Sequence, residues 1–126
     1  MLNSGLTNRC EVKVDETNTA AAVGSGDLQV FSTPMMIALM EETCATCVAA
    51  HLDEGMTTVG TKVDIVHSAA TPLGMNVYCD CVLEGVEGRK LVFSVKAFDE
   101  RGLIGEGNHE RFIVNAEKFQ LKTDSK

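Results

Sequence analysis

The chain has 126 residues, of which 44% are hydrophobic and 23% charged, with a formal net charge of −7. This length fits one domain, residues 1–126, able to bury its own core. Acidity and scattered basic residues disfavour nucleic acids and anionic membranes as partners. No apolar run is long enough for a transmembrane helix, and the N-terminus lacks signal-peptide features. Five cysteines without an export signal predict a reducing, cytoplasmic location.

The first thirty residues predict a short strand followed by a loop. Polar and apolar residues alternate over Cys10–Asp15, which is typical of a half-buried strand. Residues Thr17–Asp27 are small and rich in glycine, so we expect a flexible loop there. Ala20–Val23 is the one stretch of this loop that could form a further short strand.

A long helix is predicted next. Thr33 is a suitable N-cap and Pro34 suits the first helical position. No glycine or second proline interrupts Pro34–Leu52, which is rich in Met, Ala and Leu. Residues Met35–Met40 are apolar on every side, and a helix with this pattern is buried.

Strand patterns follow the helix to residue 115. The four predicted strands are Thr57–Ala70, Met75–Val86, Lys90–Phe98 and Leu103–Asn115. Glycine-containing turns between them predict consecutive antiparallel strands. The fold class is therefore α+β, with a curved antiparallel sheet wrapped around one helix and a core from about residue 10 to residue 119. One sheet covers only part of such a helix, so we expect a homodimer, with pairing into tetramers left open. The polar tail after Phe119 is expected to fray.

Three charged or titratable residues do not fit a plain core. Glu41 and Glu42 follow six apolar helical residues, and either both are solvated or one projects into a pocket where its pKa is tuned. His67 shares the apolar face of its strand with Val63 and Ile65. It is either a hydrogen-bonded core histidine or a base, and a base would need a partner such as Glu41.

Two further motifs have a plain and a chemical interpretation. The segment Gly105–Arg111 places two glycines in a strand, which allows a backbone or ligand to approach closely. Its Arg111 is suited to pair with an acidic side chain or an anion, although a bulge with surface charges explains the pattern as well. Cys44-Ala45-Thr46-Cys47 lies inside the helix and Cys79-Asp80-Cys81 in a strand. Because zinc and redox pairs favour turns and helix starts, these cysteines are expected to pack in the core, without metal or cofactor.

The motifs taken together resemble hotdog-fold acyl-CoA thioesterases of the fluoroacetyl-CoA thioesterase group. The resemblance runs from about Phe31 to Phe119, and Glu87-Gly88-Arg89 matches its hairpin. The segments that carry it are Thr33-Pro34-Met35-Met36-Ile37-Ala38-Leu39-Met40-Glu41, Gly60 through Gly74, and Gly105 through Arg111.

This resemblance implies a hydrolase that cleaves a small or medium acyl-CoA to free acid and coenzyme A. It implies catalytic roles for Thr33, Glu41 and His67, pocket roles for Gly60 and Arg111, none for Glu42, and active sites at a dimer interface. Ala20–Phe31 is shorter and less aromatic than the lid of the fluoroacetyl-specific enzyme, which favours a different or broader acyl group.

Spacing constrains the implied mechanism. His67 could take a proton from water or from Thr33, and a backbone N–H near Gly60 could stabilise the oxyanion. Thr33 and Glu41 are eight residues apart, about 12 Å along a helix. Both can meet His67 only if Thr33 lies on a folded-back loop or if each site draws on two subunits.

Other functions remain open from the sequence. The Asp and His flanking a Pro that hotdog enoyl-CoA hydratases share is not found here. A non-catalytic acyl-CoA-binding module would need the pocket without the Glu41–His67 pair, and a structural interaction domain would need only the dimer. If coenzyme A is the ligand, its phosphates either stay in solvent or meet Lys62, Arg89, Lys90 or Arg111.

Overall fold

The computed structural model describes residues 2–126, which form one five-stranded antiparallel sheet and three helices. In chain order the elements are β1 (Thr7–Lys13), α1 (Ala20–Val23), α2 (Thr33–Ala49), β2 (Met56–His67), β3 (Asn76–Glu87), β4 (Lys90–Asp99), β5 (Gly102–Asn115) and α3 (Ala116–Asp124). The α+β class, the curved sheet and the single long helix agree with the sequence prediction.

The order of strands in the sheet is β1-β3-β4-β5-β2, which corrects the predicted run of four consecutive strands. Strands β3, β4 and β5 form the expected meander, but β2 pairs with β5 at the far edge. Thr71-Pro72-Leu73-Gly74 is therefore no hairpin. It belongs to a crossover whose carbonyl at Thr71 accepts a hydrogen bond from the Phe31 amide at 2.9 Å, so the segment before α2 holds this connection in place.

Three local predictions were wrong, each because a capping side chain decided the structure. Ala20–Val23 is a helical turn, because the Thr19 hydroxyl accepts a hydrogen bond from the Ala22 amide. Ser32, rather than Thr33, caps α2 by accepting from the Met35 amide. The tail forms α3 because the Asn115 side chain caps it, although the helix buries no side chain.

The core lies between one face of α2 and the concave face of the sheet. Buried α2 residues recur at helical spacing: Met36, Leu39, Met40, Thr43, Cys44, Cys47 and Val48. They pack on alternating residues of β3 and β4, among them Leu83 and Phe93. As expected, the single sheet covers only part of the helix, because Ala38 is exposed and Ile37 half-buried in the single chain. That second face of the helix lacks cover within one protomer.

Candidate active site

Thr33 and His67 meet where α2 begins and β2 ends. The Thr33 hydroxyl lies 2.7 Å from Nδ1 of His67. Because Ser32 caps the helix, the Thr33 hydroxyl is free for this bond. Gly105, opposite His67 in the sheet, lets the helix approach, since an added Cβ would lie 2.7 Å from the Met36 side chain. Close packing of helix on strand thus brings the two side chains together.

The surroundings of His67 favour a neutral imidazole. Burial holds its pKa below the ordinary value, because desolvation disfavours the imidazolium. Nε2 is buried and has no hydrogen-bond partner within residues 2–126. When Nδ1 accepts the Thr33 proton, the imidazole proton sits on Nε2. That N–H then needs an acceptor that the described protomer does not provide.

A cavity of about 270 Å³ opens beside this pair. Its lining residues are Ala20, Ser25, Val30, Phe31, Ser32, Thr33, His67, Ser68, Ala69 and Ala70. Phe31, the aromatic residue of this wall, is 2% exposed and packs in the core. The space has room for a small acyl group.

Glu41 lies further along α2, in a second group of polar residues. Its carboxylate is 3.7 Å from Nη1 of Arg111, and its side chain is 42% exposed. The pair approaches over Gly60, where an added Cβ would lie 2.6 Å from the Glu41 carboxylate and 3.3 Å from Nη1. Any side chain at this position would displace the carboxylate from its place beside Arg111, which glycine leaves open. The predicted pairing of Arg111 with an acidic side chain is found.

The guanidinium of Arg111 is buried and held on several sides. Nε donates to the Thr58 hydroxyl at 2.8 Å, and Nη2 donates to the Thr58 carbonyl at 3.0 Å. Nη1 donates to Nε2 of His109 at 3.0 Å. Burial lowers the pKa of Arg111, and the nearby Glu41 carboxylate counteracts that effect. This arrangement orients Arg111 toward Glu41 and leaves little of it for an external anion.

Five predicted residues therefore fall into two groups. Thr33 and His67 form one, and Glu41, Gly60 and Arg111 form the other. Gly60 and His67 are seven positions apart on β2, about 20 Å of extended strand. Within one protomer Glu41 has no hydrogen bond to His67. Thr33 is helical rather than on a folded-back loop, so this way of bringing all three together is excluded. Glu42 is exposed.

The glycine-rich and cysteine-rich motifs have structural roles. Gly107 lies against the Asp64 carbonyl of β2 so closely that an added Cβ would overlap it, which confirms the expected close backbone approach. All five cysteines are free, and four are buried. Burial raises the pKa of Cys47 and of Cys79 to about 12. No cluster suited to a metal is found among the described residues.

Sequence reasoning missed His109 and Thr58. His109 is 1% exposed and Thr58 is 9% exposed, and both hold Arg111. Alternation along β5 offered a signal, because His109 lies two residues before Arg111 and shares its face. Thr58 gave no such signal, because it lies on β2 and Arg111 on β5, and only the order of strands in the sheet makes these two strands neighbours.

Comparison with known proteins agrees with this architecture. The sequence profile of the family described as fluoroacetyl-CoA-specific thioesterase matches residues 14–117. The chain belongs to this family. The fluoroacetyl-CoA thioesterase of Streptantibioticus cattleyicolor is 41% identical over 98 residues, which cover 78% of this chain and 70% of that protein.

Two solved structures of that enzyme type superpose closely. One, of the fluoroacetyl-CoA thioesterase FlK, has a TM-score of 0.94 and 32% identity, covering 100% of this chain and 98% of the other. The other, a variant of FlK in complex with fluoroacetate and CoA, has a TM-score of 0.89 and 33% identity, covering 94% and 99%. These matches confirm the hotdog fold. In residues 2–126 no helix has both the length and the apolar character needed to cross a membrane.

Proposed function

We propose that this chain hydrolyses the thioester of small or medium acyl-CoA molecules, with Thr33, His67 and Glu41 as its catalytic residues. Membership of the thioesterase family makes the chain an acyl-CoA thioester hydrolase. The observation that carries the residue assignment is the 2.7 Å contact between Thr33 and a neutral, half-buried His67 beside an open cavity. Such a contact is what a base needs to take a proton from a hydroxyl or from a water in its place.

The chemistry needs proton transfer and stabilisation of the oxyanion. His67 accepts a proton from Thr33 or from water as the thioester carbonyl is attacked, and returns it to the leaving thiolate. The register of β2 against β5 shifts between Gly60 and Lys62. An extra residue in a bulge leaves backbone groups outside the ladder, so a backbone N–H near Gly60 is our candidate for the oxyanion. Arg111 orients Glu41.

Glu41 reaches His67 only if the site is shared by two subunits. Strand β2 is an edge strand of twelve residues with Val63 42% exposed and Val66 64% exposed. A long, free, apolar edge invites another strand. Antiparallel pairing of two β2 strands about the point between Val63 and Asp64 places Gly60 of one subunit opposite His67 of the other. Each site then combines Thr33 and His67 with Glu41 and Arg111 of the partner subunit, as a homodimer.

Complementation tests this shared site. Glu41→Gln and His67→Ala are each expected to be nearly inactive. Co-expressed with two different tags and purified through both, their heterodimer contains one intact and one doubly substituted site. We expect it to regain about half of the wild-type kcat per dimer. Equal inactivity of the heterodimer and the two homodimers would show that each protomer carries its whole site. Sedimentation at micromolar concentration checks the dimer independently.

Free-thiol release from a series of acyl-CoA molecules tests the reaction itself. The segment Ala20–Phe31 has Phe31 as its one aromatic residue, so we expect acetyl to medium acyl chains to be accepted without a strict preference for fluoroacetyl. We expect thiol release by the wild type and its loss in His67→Ala. Tight binding without release from any acyl chain would favour a binding module instead.

Two details complete the proposal. Lys62 and Arg89 are exposed, and Lys90 pairs with Glu110 at 3.5 Å, so these basic residues are the candidates for coenzyme A phosphates. Arg111 is the least accessible of the four, because its side chain is 9% exposed and each of its nitrogens already donates one hydrogen bond inside the protein. Five free cysteines support the cytoplasm as the location.

A further inference from the structure

His109 has no part in the reaction described above, yet it is among the most deeply buried polar side chains of the protein. It is 1% exposed, on β5, and its ring lies 6.4 Å from the ring of Phe93 at 28°. Nδ1 lies 2.8 Å from the carbonyl of Lys62. Nε2 lies 3.0 Å from Nη1 of Arg111. Both nitrogens are therefore satisfied inside the protein.

The chemistry of these two partners determines the protonation of His109. A carbonyl only accepts hydrogen bonds and a guanidinium only donates them. Nδ1 must therefore carry the proton, and Nε2 must be a bare acceptor. A second proton on Nε2 would face the Arg111 N–H directly. Burial and the nearby guanidinium also lower the pKa of His109, in agreement with a neutral ring.

His109 contacts β2 directly beside its bulge. The register shifts between Gly60 and Lys62, and the Lys62 carbonyl accepts from His109. From there the chain of contacts runs through His109 to Nη1 of Arg111, and Nη1 is the atom nearest the Glu41 carboxylate, at 3.7 Å. The other guanidinium nitrogens are held by Thr58. His109 is thus the residue that connects Nη1 of Arg111 to the bulged part of β2.

We propose that His109 is a positioning residue that, as the neutral Nδ1–H tautomer, links the β2 bulge to Arg111 and so sets the place of the Glu41 carboxylate. This inference rests on the proposed function for its effect on activity. His109 itself touches no substrate. Its removal is expected to shift the carboxylate, and a misplacement of about 1 Å can cost about 100-fold in rate.

A matched pair of variants separates this role from simple packing. In His109→Asn the amide nitrogen occupies nearly the place of Nδ1 and still donates to the Lys62 carbonyl, but nothing reaches Arg111. In His109→Gln the longer side chain brings an accepting oxygen to Arg111. We expect His109→Asn to lower kcat by about 10- to 100-fold with KM nearly unchanged, and His109→Gln to recover most of the loss. Val95→Ala, buried on β4 and outside this network, controls for lost stability.

Ring-nitrogen NMR of the wild type tests the tautomer without any activity. We expect His109 to be neutral and protonated on Nδ1 at pH 7. A proton on Nε2, or a charged ring, would overturn the inference, as would equal kcat for the wild type, His109→Asn and His109→Gln. An inactive wild type with the expected tautomer would instead refute the proposed function and the catalytic effect of His109, while the link to Arg111 would stand.

Discussion

The polar residues at Thr33 and at Glu41, about two turns apart on α2, differ in how completely they are hydrogen-bonded. Each guanidinium nitrogen of Arg111 donates to one acceptor, and the group is buried. At the start of the helix one bond joins the exposed Thr33 to the half-buried His67, and Nε2 of His67 has no partner in the described protomer. A fully bonded network rigidifies a structure, whereas a group with unused bonding capacity is available for a reaction. The difference supports the proposed roles, in which the reaction occurs at Thr33 and His67 and Arg111 orients Glu41.

The largest expected effect comes from His67. His67→Ala should lower kcat by about 100- to 10,000-fold, the usual contribution of a general base. Its Tm should stay close to that of the wild type, because the side chain is only partly buried and makes one side-chain hydrogen bond. Thiol-release kinetics together with thermal unfolding check this. A large fall in Tm alongside the fall in kcat would contradict a role of His67 in the reaction rather than in stability.

Thr33 gives the next largest effect. Thr33→Ala removes the single side-chain partner of Nδ1 and should lower kcat by about tenfold or more, whereas Thr33→Ser keeps the hydroxyl and most of the activity. Mass spectrometry of the enzyme quenched during turnover then tells covalent attack from attack by water, because only the former adds the acyl mass to Thr33. Wild-type kcat in Thr33→Ala would remove Thr33 from the mechanism.

Arg111 should affect stability more than the reactive pair does. Arg111→Met leaves the Thr58 carbonyl without its Arg111 donor and Glu41 without its counter-ion, and should lower the free energy of unfolding by about 2–3 kcal/mol. The value stays modest because the Glu41 side chain is 42% exposed and remains hydrated. Urea unfolding measures it, with His67→Ala as the control. Equal stability of the two variants would contradict the division of roles.

Acid should lower both the stability and the activity of the protein, the first partly through His109 and the second through His67. The folded-state pKa values of His67 and His109 are lowered by burial, so the unfolded chain binds more protons below about pH 6.5. Stability is therefore complete above that pH and falls as pH drops toward the folded-state values. Arg111, Glu41 and Glu110 face His109 and all influence its pKa.

Urea unfolding and kinetics at pH 7.5 and 5.5 separate these contributions. His109→Gln should show a shallower loss of stability in acid than the wild type. The acid fall of kcat/KM should persist in this variant, because it reports His67. Identical pH dependence of stability in His109→Gln and wild type would show that His109 is not held neutral by the fold.

The buried cysteines give the smallest effects. Cys44→Ala should cost about 1–2 kcal/mol through lost packing, and a chelator such as EDTA should leave Tm unchanged. Alkylation of the folded protein should be slow at Cys47 and Cys79, whose pKa values of about 12 leave little thiolate. A Tm lowered by EDTA would revive a metal site for the two cysteine motifs.

Much of this protein was determined by local sequence. The apolar run after Pro34, the alternation in the later strands and the glycines of the turns predicted the α+β class and the approximate bounds of α2 and of β2 to β5, because periodicity and turn chemistry act over a few residues. The spacing of Thr33 and Glu41 also predicted that two residues about 12 Å apart along a straight helix do not both contact His67 within one protomer. In the structure Thr33 contacts His67 and Glu41 lies beside Arg111.

Only the tertiary structure decided which distant segments meet. The position of β2 beside β5 instead of β3 depends on the crossover held by Phe31, a contact forty residues away in sequence. That order creates the Thr58–Arg111 and Lys62–His109 contacts and leaves β2 as a free edge. Local patterns carry no information on such pairings, because strand order is set by the packing of the whole sheet against α2. The sequence therefore singled out Thr33, His67, Glu41, Gly60 and Arg111, and the fold brought Thr33 to His67 and placed the other three together at a second position.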